Sequence, residues 1–240
     1  MYITRLGIRH EEFPTRECYP FNLEIFNATD RIEFSQPVTF FIGENGSGKS
    51  TLLEAIARNS GIAIWEESGR IRFRHNPYEN ELYRYITLEW QGEKVPGSFF
   101  ASEIFRHFAE ILDEWARVDP DMLKYFADSS LLSKSHGQSH MAFFAHRFRL
   151  PGLYLLDEPE NALSPKMQLE LLKLLRTFVS IGHAQFIIAT HSPILLAYPG
   201  AEIFTFDAVP IRKIVYEDTD YYRIYRDFLN NRENYLGAGK

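Results

Sequence analysis

The residues best suited to chemistry are nine in a row: Gly43-Glu44-Asn45-Gly46-Ser47-Gly48-Lys49-Ser50-Thr51. They fill every fixed position of G-x-x-x-x-G-K-[ST], a loop that wraps phosphate. The glycines lack a Cβ, so the backbone can turn tightly and bring the N–H groups from Glu44 to Thr51 onto phosphate oxygens. A helix starting here would add its positive end. Lys49 is expected to reach the β- and γ-phosphates, and the Ser50 hydroxyl to ligate Mg²⁺. The motif needs a strand before it and a helix after it. Val38-Thr39-Phe40-Phe41-Ile42 reads as the buried strand, and Leu52 to Arg58 as the helix. The chain is therefore expected to bind a nucleoside triphosphate.

Two further groups fit that chemistry. The apolar run Leu153-Tyr154-Leu155-Leu156 ends in Asp157-Glu158-Pro159. Asp157 would hold Mg²⁺, directly or through water. Glu158 could orient and deprotonate the attacking water. A second apolar run, Gln185 to Thr190, ends at His191. Parallel α/β sheets gather ligands at the carboxyl ends of their strands, which puts His191 within reach of a γ-phosphate.

The elements that must hold these groups can be read from pattern. Residues 2–9 read as a strand and residues 10–20 as a loop. Phe21 to Phe26 and Arg31 to Phe34 read as strands of a small, mostly antiparallel sheet over the nucleotide. Phe13, Arg16 and Tyr19 could stack on a base or simply pack. Arg70, Arg72 and Arg74 share one face of a predicted strand, either a phosphate-tracking strip or an exposed sheet face. Tyr83 to Trp90 is another expected strand. Phe99 to Arg117 has helical spacing, and Asp119-Pro120 is expected to open a second helix through Phe126. Residues 98–148 thus form a candidate helical lobe, with a polar stretch at Ser129 to Ser139 and a helix resuming at Met141. Ser164-Pro165 caps a long helix. Glu202 to Phe206 and Ile211 to Tyr216 complete the sheet, and Tyr221 to Asn230 is an amphipathic helix.

Composition sets limits. Apolar residues make up 45% of the 240, ample for the core of one large α/β domain spanning 1–240. The net charge of −6 supplies no overall basic field for nucleic acid, so any such contact would need a local patch. With Cys18 as the one cysteine, an intrachain disulfide and a cysteine zinc site are excluded. The start has no signal-peptide pattern, and no apolar run approaches the roughly 18 residues of a bilayer span. The expectation is a cytoplasmic protein without direct membrane insertion.

The motif order resembles that of ABC-type ATPases. It runs G-E-N-G-S-G-K-S-T (Gly43–Thr51), S-H-G-Q (Ser135–Gln138), L-Y-L-L-D-E-P (Leu153–Pro159), E-N-A-L-S (Glu160–Ser164) and A-T-H-S-P (Ala189–Pro193). D-E-P-E followed by A-T-H-S-P looks most like the non-transporter branch of SMC, RecF and OLD-like ATPases and compact bacterial "AAA family" ATPases. The resemblance implies a P-loop fold with a mixed sheet, an N-terminal antiparallel β subdomain and a small helical lobe. It implies Mg²⁺-dependent ATP hydrolysis in a head-to-tail homodimer that drives an unidentified effector protein. In that arrangement Ser135 and Gly137 would bind the γ-phosphate held by the other protomer, Asn161 to Ser164 would cross the interface, and His191 would be the switch histidine. The metal-coordinating glutamine would be Gln91, with Glu103 as the alternative. His136 departs from the family's usual glycine, and Ser164 from its usual aspartate. About 85 residues separate the two phosphate loops, too few for SMC-type coiled-coil arms. A transporter's nucleotide-binding subunit is the rival reading.

Overall fold

A period of two builds the central sheet. In β3 (Val38–Ile42), β6 (Gly152–Asp157) and β7 (Ala184–Ala189) nearly every residue is buried, because both faces are covered. Phe41, Leu153, Leu155, Ile187 and Ala189 point into one core, and Phe40, Ile42, Tyr154, Leu156, Phe186 and Ile188 into the other. Alternate side chains of one strand thus feed two different cores.

The computed structural model describes residues 1–65, 76–119, 121 and 129–237. The main sheet has the order β5-β6-β7-β3-β8-β9, with β5 at Gly97–Ala101, β8 at Glu202–Thr205 and β9 at Arg212–Ile214. All neighbours are parallel except β8 and β9. A second, antiparallel sheet has the order β2-β1-β4, from Ile3–Ile8 (β1), Arg31–Glu33 (β2) and Ile86–Trp90 (β4). The first core lies between this small sheet, helix α2 (Lys49–Ser60) and the main sheet. The second lies under α3 (Phe105–Val118), α4 (His136–Arg147) and α5 (Pro165–Ser180). The short helices α1 (Glu24–Ala28) and α6 (Pro193–Leu196) and the terminal α7 (Asp220–Leu236) complete the chain.

Several expected elements differ. Phe21 to Phe26 is a turn running into α1 and not a strand; Phe21 and Ile25 are buried four residues apart, a helical spacing. Tyr83 to Tyr85 belongs to a 3-10 turn before β4. Phe99 and Phe100 are in strand β5, paired in parallel with Leu155 and Leu156, so the lobe's helices start at Phe105. Both phenylalanines are buried, one towards each core, which hides the alternation. Helix α4 starts at His136, ahead of the expected Met141, because Ser135 and Gln138 form a reciprocal capping box. Ser164 does cap α5, accepting from the Met167 N–H. The strand expected at Arg70 to His75 and the helix expected beyond Pro120 lie outside the described residues.

Candidate nucleotide site

The loop after β3 lies at the carboxyl ends of the parallel strands, between β7 and β8. Gly48 is the N-cap of α2, with φ of 102°. A Cβ there would come within 2.8 Å of the Phe26 ring, so this position needs glycine for its backbone and for its neighbour. Lys49 is buried, and its ammonium donates to the Gly43 and Glu44 carbonyls at 2.6 and 3.0 Å. Burial lowers its pKa, while the charges of Glu158, Asp157, Asp207 and Glu44 pull the other way.

Ser50 donates its hydroxyl hydrogen to Asp157 Oδ1 at 3.0 Å. Burial pushes the Asp157 carboxyl up to about 7; the Ser50 hydrogen bond opposes this, and the Glu158 and Glu54 charges add to it. A divalent cation would offset that cost. Octahedral Mg²⁺ with bonds of about 2.1 Å sets neighbouring ligands about 3.0 Å apart, so the pair fits two adjacent corners. Among the described residues no group of three or more His, Cys, Asp or Glu could hold a metal. Mg²⁺ takes few protein ligands and completes its shell with water and phosphate.

A cavity of about 630 Å³ opens over these groups. Asn45, Gly46, Gly48, Lys49, Ser50 and Thr51 line it from the loop, and Asp157, Glu158 and Asn161 from the end of β6. Glu44 and Ser47 do not: the Glu44 N–H is taken by Asp207 Oδ1 at 2.7 Å, and the Ser47 N–H donates to the Glu44 carbonyl. Of the three residues considered for the base, Tyr19 lines the cavity and its hydroxyl hydrogen-bonds to Thr51 Oγ1. Phe13 packs on Phe21 and Tyr85 instead.

Glu158 stands between the cavity and His191. Its backbone is left-handed, φ 46° and ψ 53°, the one non-glycine positive φ among the described residues. Such a conformation costs about 1–3 kcal/mol and is held by its surroundings. Here the Glu158 N–H donates to the Ala189 carbonyl of β7 at 2.9 Å, and Pro159 follows in a 3-10 turn. Asn161 Nδ2 donates to Glu158 Oε2 at 2.7 Å, while Glu158 Oε1 lies 3.3 Å from His191 Nε2. His191 itself does not line the cavity; it meets it through Glu158. The His191 backbone N–H donates to Glu160 Oε1 at 2.6 Å. The second glutamate of D-E-P-E therefore ties the turn after β6 to the end of β7.

Gln91 is elsewhere, and the metal role expected of it falls away. Its N–H donates to the Tyr2 carbonyl, and the Tyr2 N–H to Gln185 Oε1. Gln185 is at the amino end of β7, so Gln91 sits at the opposite end of the sheet, about four residues or 13 Å of strand away. Ser102 and Glu103, which follow β5, line the cavity where a glutamine was expected. The strand at Phe99 to Ala101 moved that position beyond Gln91. Ser135 and Gly137 do not line the cavity either. Ser135 is exposed at the N-cap of α4. Gly137 is buried, and a Cβ on it would lie 2.6 Å from the Ala162 carbonyl. Two residues had no signal in a local motif: Asp207, and Tyr221 at the start of α7.

Comparison with known proteins follows the same lines. Residues 21–104 match a family described as "AAA domain", and residues 108–197 a family described as "AAA domain, putative AbiEii toxin, Type IV TA system". The chain has a P-loop fold of the kind shared by SMC heads and ABC ATPases. Its fold is that of the SMC head domain from Thermotoga maritima, at TM-score 0.51 and 19% identity over 90% of this chain and 99% of that one. An SmcHead structure, solved bound to the C-winged helix domain of ScpA, gives TM-score 0.54 and 13% identity over 90% and 98%. Among curated proteins, it is 27% identical to "Phosphate import ATP-binding protein PstB 1" of Ligilactobacillus salivarius, over 68% of this chain and 70% of that protein. It is 30% identical to PstB 2 of Streptococcus pneumoniae (strain ATCC BAA-255 / R6), over 55% of this chain and 58% of that protein. No described helix is long and apolar enough to cross a membrane.

Proposed function

We propose that this ABC-type domain binds Mg²⁺-ATP in the cavity over Lys49 and hydrolyses it between two copies of the chain. The observation that carries the reading is the pair Ser50 and Asp157, hydrogen-bonded at 3.0 Å beside Glu158. Asn45, Gly46 and Gly48 would supply backbone N–H groups to the phosphates, and Lys49 a positive charge. Ser50 and Asp157 would hold Mg²⁺, which supplies charge neutralisation at the phosphates. Glu158 would orient the attacking water and take its proton, with Asn161 fixing one carboxylate oxygen.

The need for two copies is supported by the position of the signature residues. Ser135 is exposed and Gly137 faces Ala162, so neither completes the phosphate shell of its own chain. A second copy docked head to tail could bring the Ser135 end of α4 over the cavity. Opening and closing of such a pair would drive a partner protein. The SmcHead, a chain of similar fold, is bound to the C-winged helix domain of ScpA in its structure. The curated relatives' names favour an import subunit as the second reading. The chain spans 58 to 70% of their length.

The deciding experiment is light-scattering mass of Glu158→Gln with and without Mg²⁺-ATP, alongside phosphate release by the wild type. A doubling of mass with nucleotide and turnover by the wild type are expected. A variant that binds ATP yet stays monomeric would overturn the two-copy reading. Retained ATP affinity in Lys49→Ala would overturn the site.

A further inference from the structure

Tyr221 is the second residue of α7, and its hydroxyl meets two groups of the nucleotide site. It is 3.0 Å from the Gly43 carbonyl oxygen and 2.8 Å from His191 Nδ1. Each contact needs one hydrogen between its two heavy atoms. A carbonyl has none to give, so the phenol hydrogen must point at Gly43. The hydrogen between Tyr221 and His191 must then come from Nδ1. Burial, with the charges of Asp207 and Glu44, pushes the phenol up to about 12, so it keeps its hydrogen at ordinary pH. On the other side of the ring, Nε2 is buried and makes no hydrogen bond among the described residues, with Glu158 Oε1 3.3 Å away.

We propose that Tyr221 is a positioning residue that fixes His191 in the Nδ1–H form and so leaves the Nε2 lone pair facing Glu158. The neutral Nε2–H form would leave the 3.0 Å contact between the Tyr221 hydroxyl and the Gly43 carbonyl without a hydrogen. Nε2 becomes a donor only after the ring has taken a second proton. This rests on the hydrolytic reading above and gives His191 a specific place in it. When water attacks phosphorus, its O–H bond breaks, the proton goes to Glu158, and the P–O bond to ADP breaks as the new one forms. Nε2 then accepts that proton from Glu158, which restores the carboxylate and leaves the ring a cation beside it.

The position of Tyr221 is itself held firmly. Thr219, fully buried, caps α7 by accepting the Tyr222 N–H at 3.2 Å and donates to the Tyr216 carbonyl at 2.7 Å. Gly43 also accepts from Lys49. Tyr221 thereby joins the start of α7, the phosphate loop and the end of β7 through one oxygen.

The test is nitrogen-15 NMR of the histidine side chains of the full chain at pH 8, wild type against Tyr221→Phe, with ATP turnover measured in parallel. His191 is expected to carry its proton on Nδ1 in the wild type and on Nε2 in the variant. Turnover should fall about 10- to 100-fold through kcat, with little change in KM. A wild-type His191 protonated on Nε2, or a tautomer that Tyr221→Phe leaves unchanged, would overturn the proposal. The NMR arm reads the tautomer without turnover. A wild type that hydrolyses no ATP therefore counts against the hydrolytic reading, and the tautomer is still decided.

Discussion

Glu158 Oε1 and His191 Nε2 lie 3.3 Å apart, at the ends of the neighbouring parallel strands β6 and β7. The approach depends on the left-handed backbone of Glu158, which turns its side chain out of the strand direction. Asparagine tolerates that conformation better than glutamate does and brings no charge beside buried Asp157. Glu158→Asn is expected to raise stability by about 1 kcal/mol, or the melting temperature by about 2–4 °C, while turnover is lost. Differential scanning calorimetry without nucleotide checks this; an unchanged or lower melting temperature would mean the backbone is not strained.

Ser135 tests the second copy. Its hydroxyl accepts the Gln138 N–H, so Ser135→Arg removes a helix cap worth about 1 kcal/mol. ATP affinity, measured by titration of a fluorescent analogue, is expected to hold, because Ser135 is outside the cavity of its own chain. Steady-state turnover should drop to background. Turnover at the wild-type rate would remove Ser135 from the site.

His140 gives the domain a pH dependence. It is 3% exposed, edge-on to Phe100, Phe105 and Phe144. Burial, with a smaller push from His136, lowers it from 6.5 to about 4. The folded value lies below the unfolded one, so between pH 6.5 and 4 the unfolded chain holds the extra proton. Stability is expected to fall across that window as pH falls, by at most on the order of 3 kcal/mol. Urea midpoints at pH 7 and pH 4.5 should differ less in His140→Leu than in the wild type. An equal difference would mean that other groups carry the effect.

Gln185 bears on the fold and not the site. It is fully buried; its Oε1 accepts the Tyr2 and Ile3 N–H groups at 2.7 and 2.8 Å, and its Nε2 donates to the Ile3 carbonyl at 2.9 Å. These bonds attach the antiparallel sheet to β7. Gln185→Leu strands three backbone groups, each costing about 1–3 kcal/mol when left unpaired. A loss of roughly 3 kcal/mol in urea unfolding is expected, with ATP affinity retained, since the site is at the other end of the sheet. A loss under about 1 kcal/mol would mean the two sheets are joined by packing alone.

What the sequence by itself determined was local or periodic. The loop from Gly43 to Thr51, the acids at Asp157 and Glu158, and the alternating core strands are contiguous, so spacing along the chain is enough to read them. Capping at Ser164 was legible for the same reason. Phe21 to Phe26 and Phe99 to Phe100 depart from their sequence reading because two adjacent buried apolar residues, Ile25 with Phe26 and Phe99 with Phe100, look alike on a strand between two cores and on a short helix; only the packing partners separate the two. Gln91 went to the wrong end of the sheet because one missed strand changes which loop follows which edge. The rest was decided by the tertiary structure. Glu160 reaches the His191 backbone across 31 residues, and Tyr221 reaches Gly43 across 178. Hydrogen bonds of that span leave no periodic trace, since they arise only when parallel strands bring distant loops to one edge.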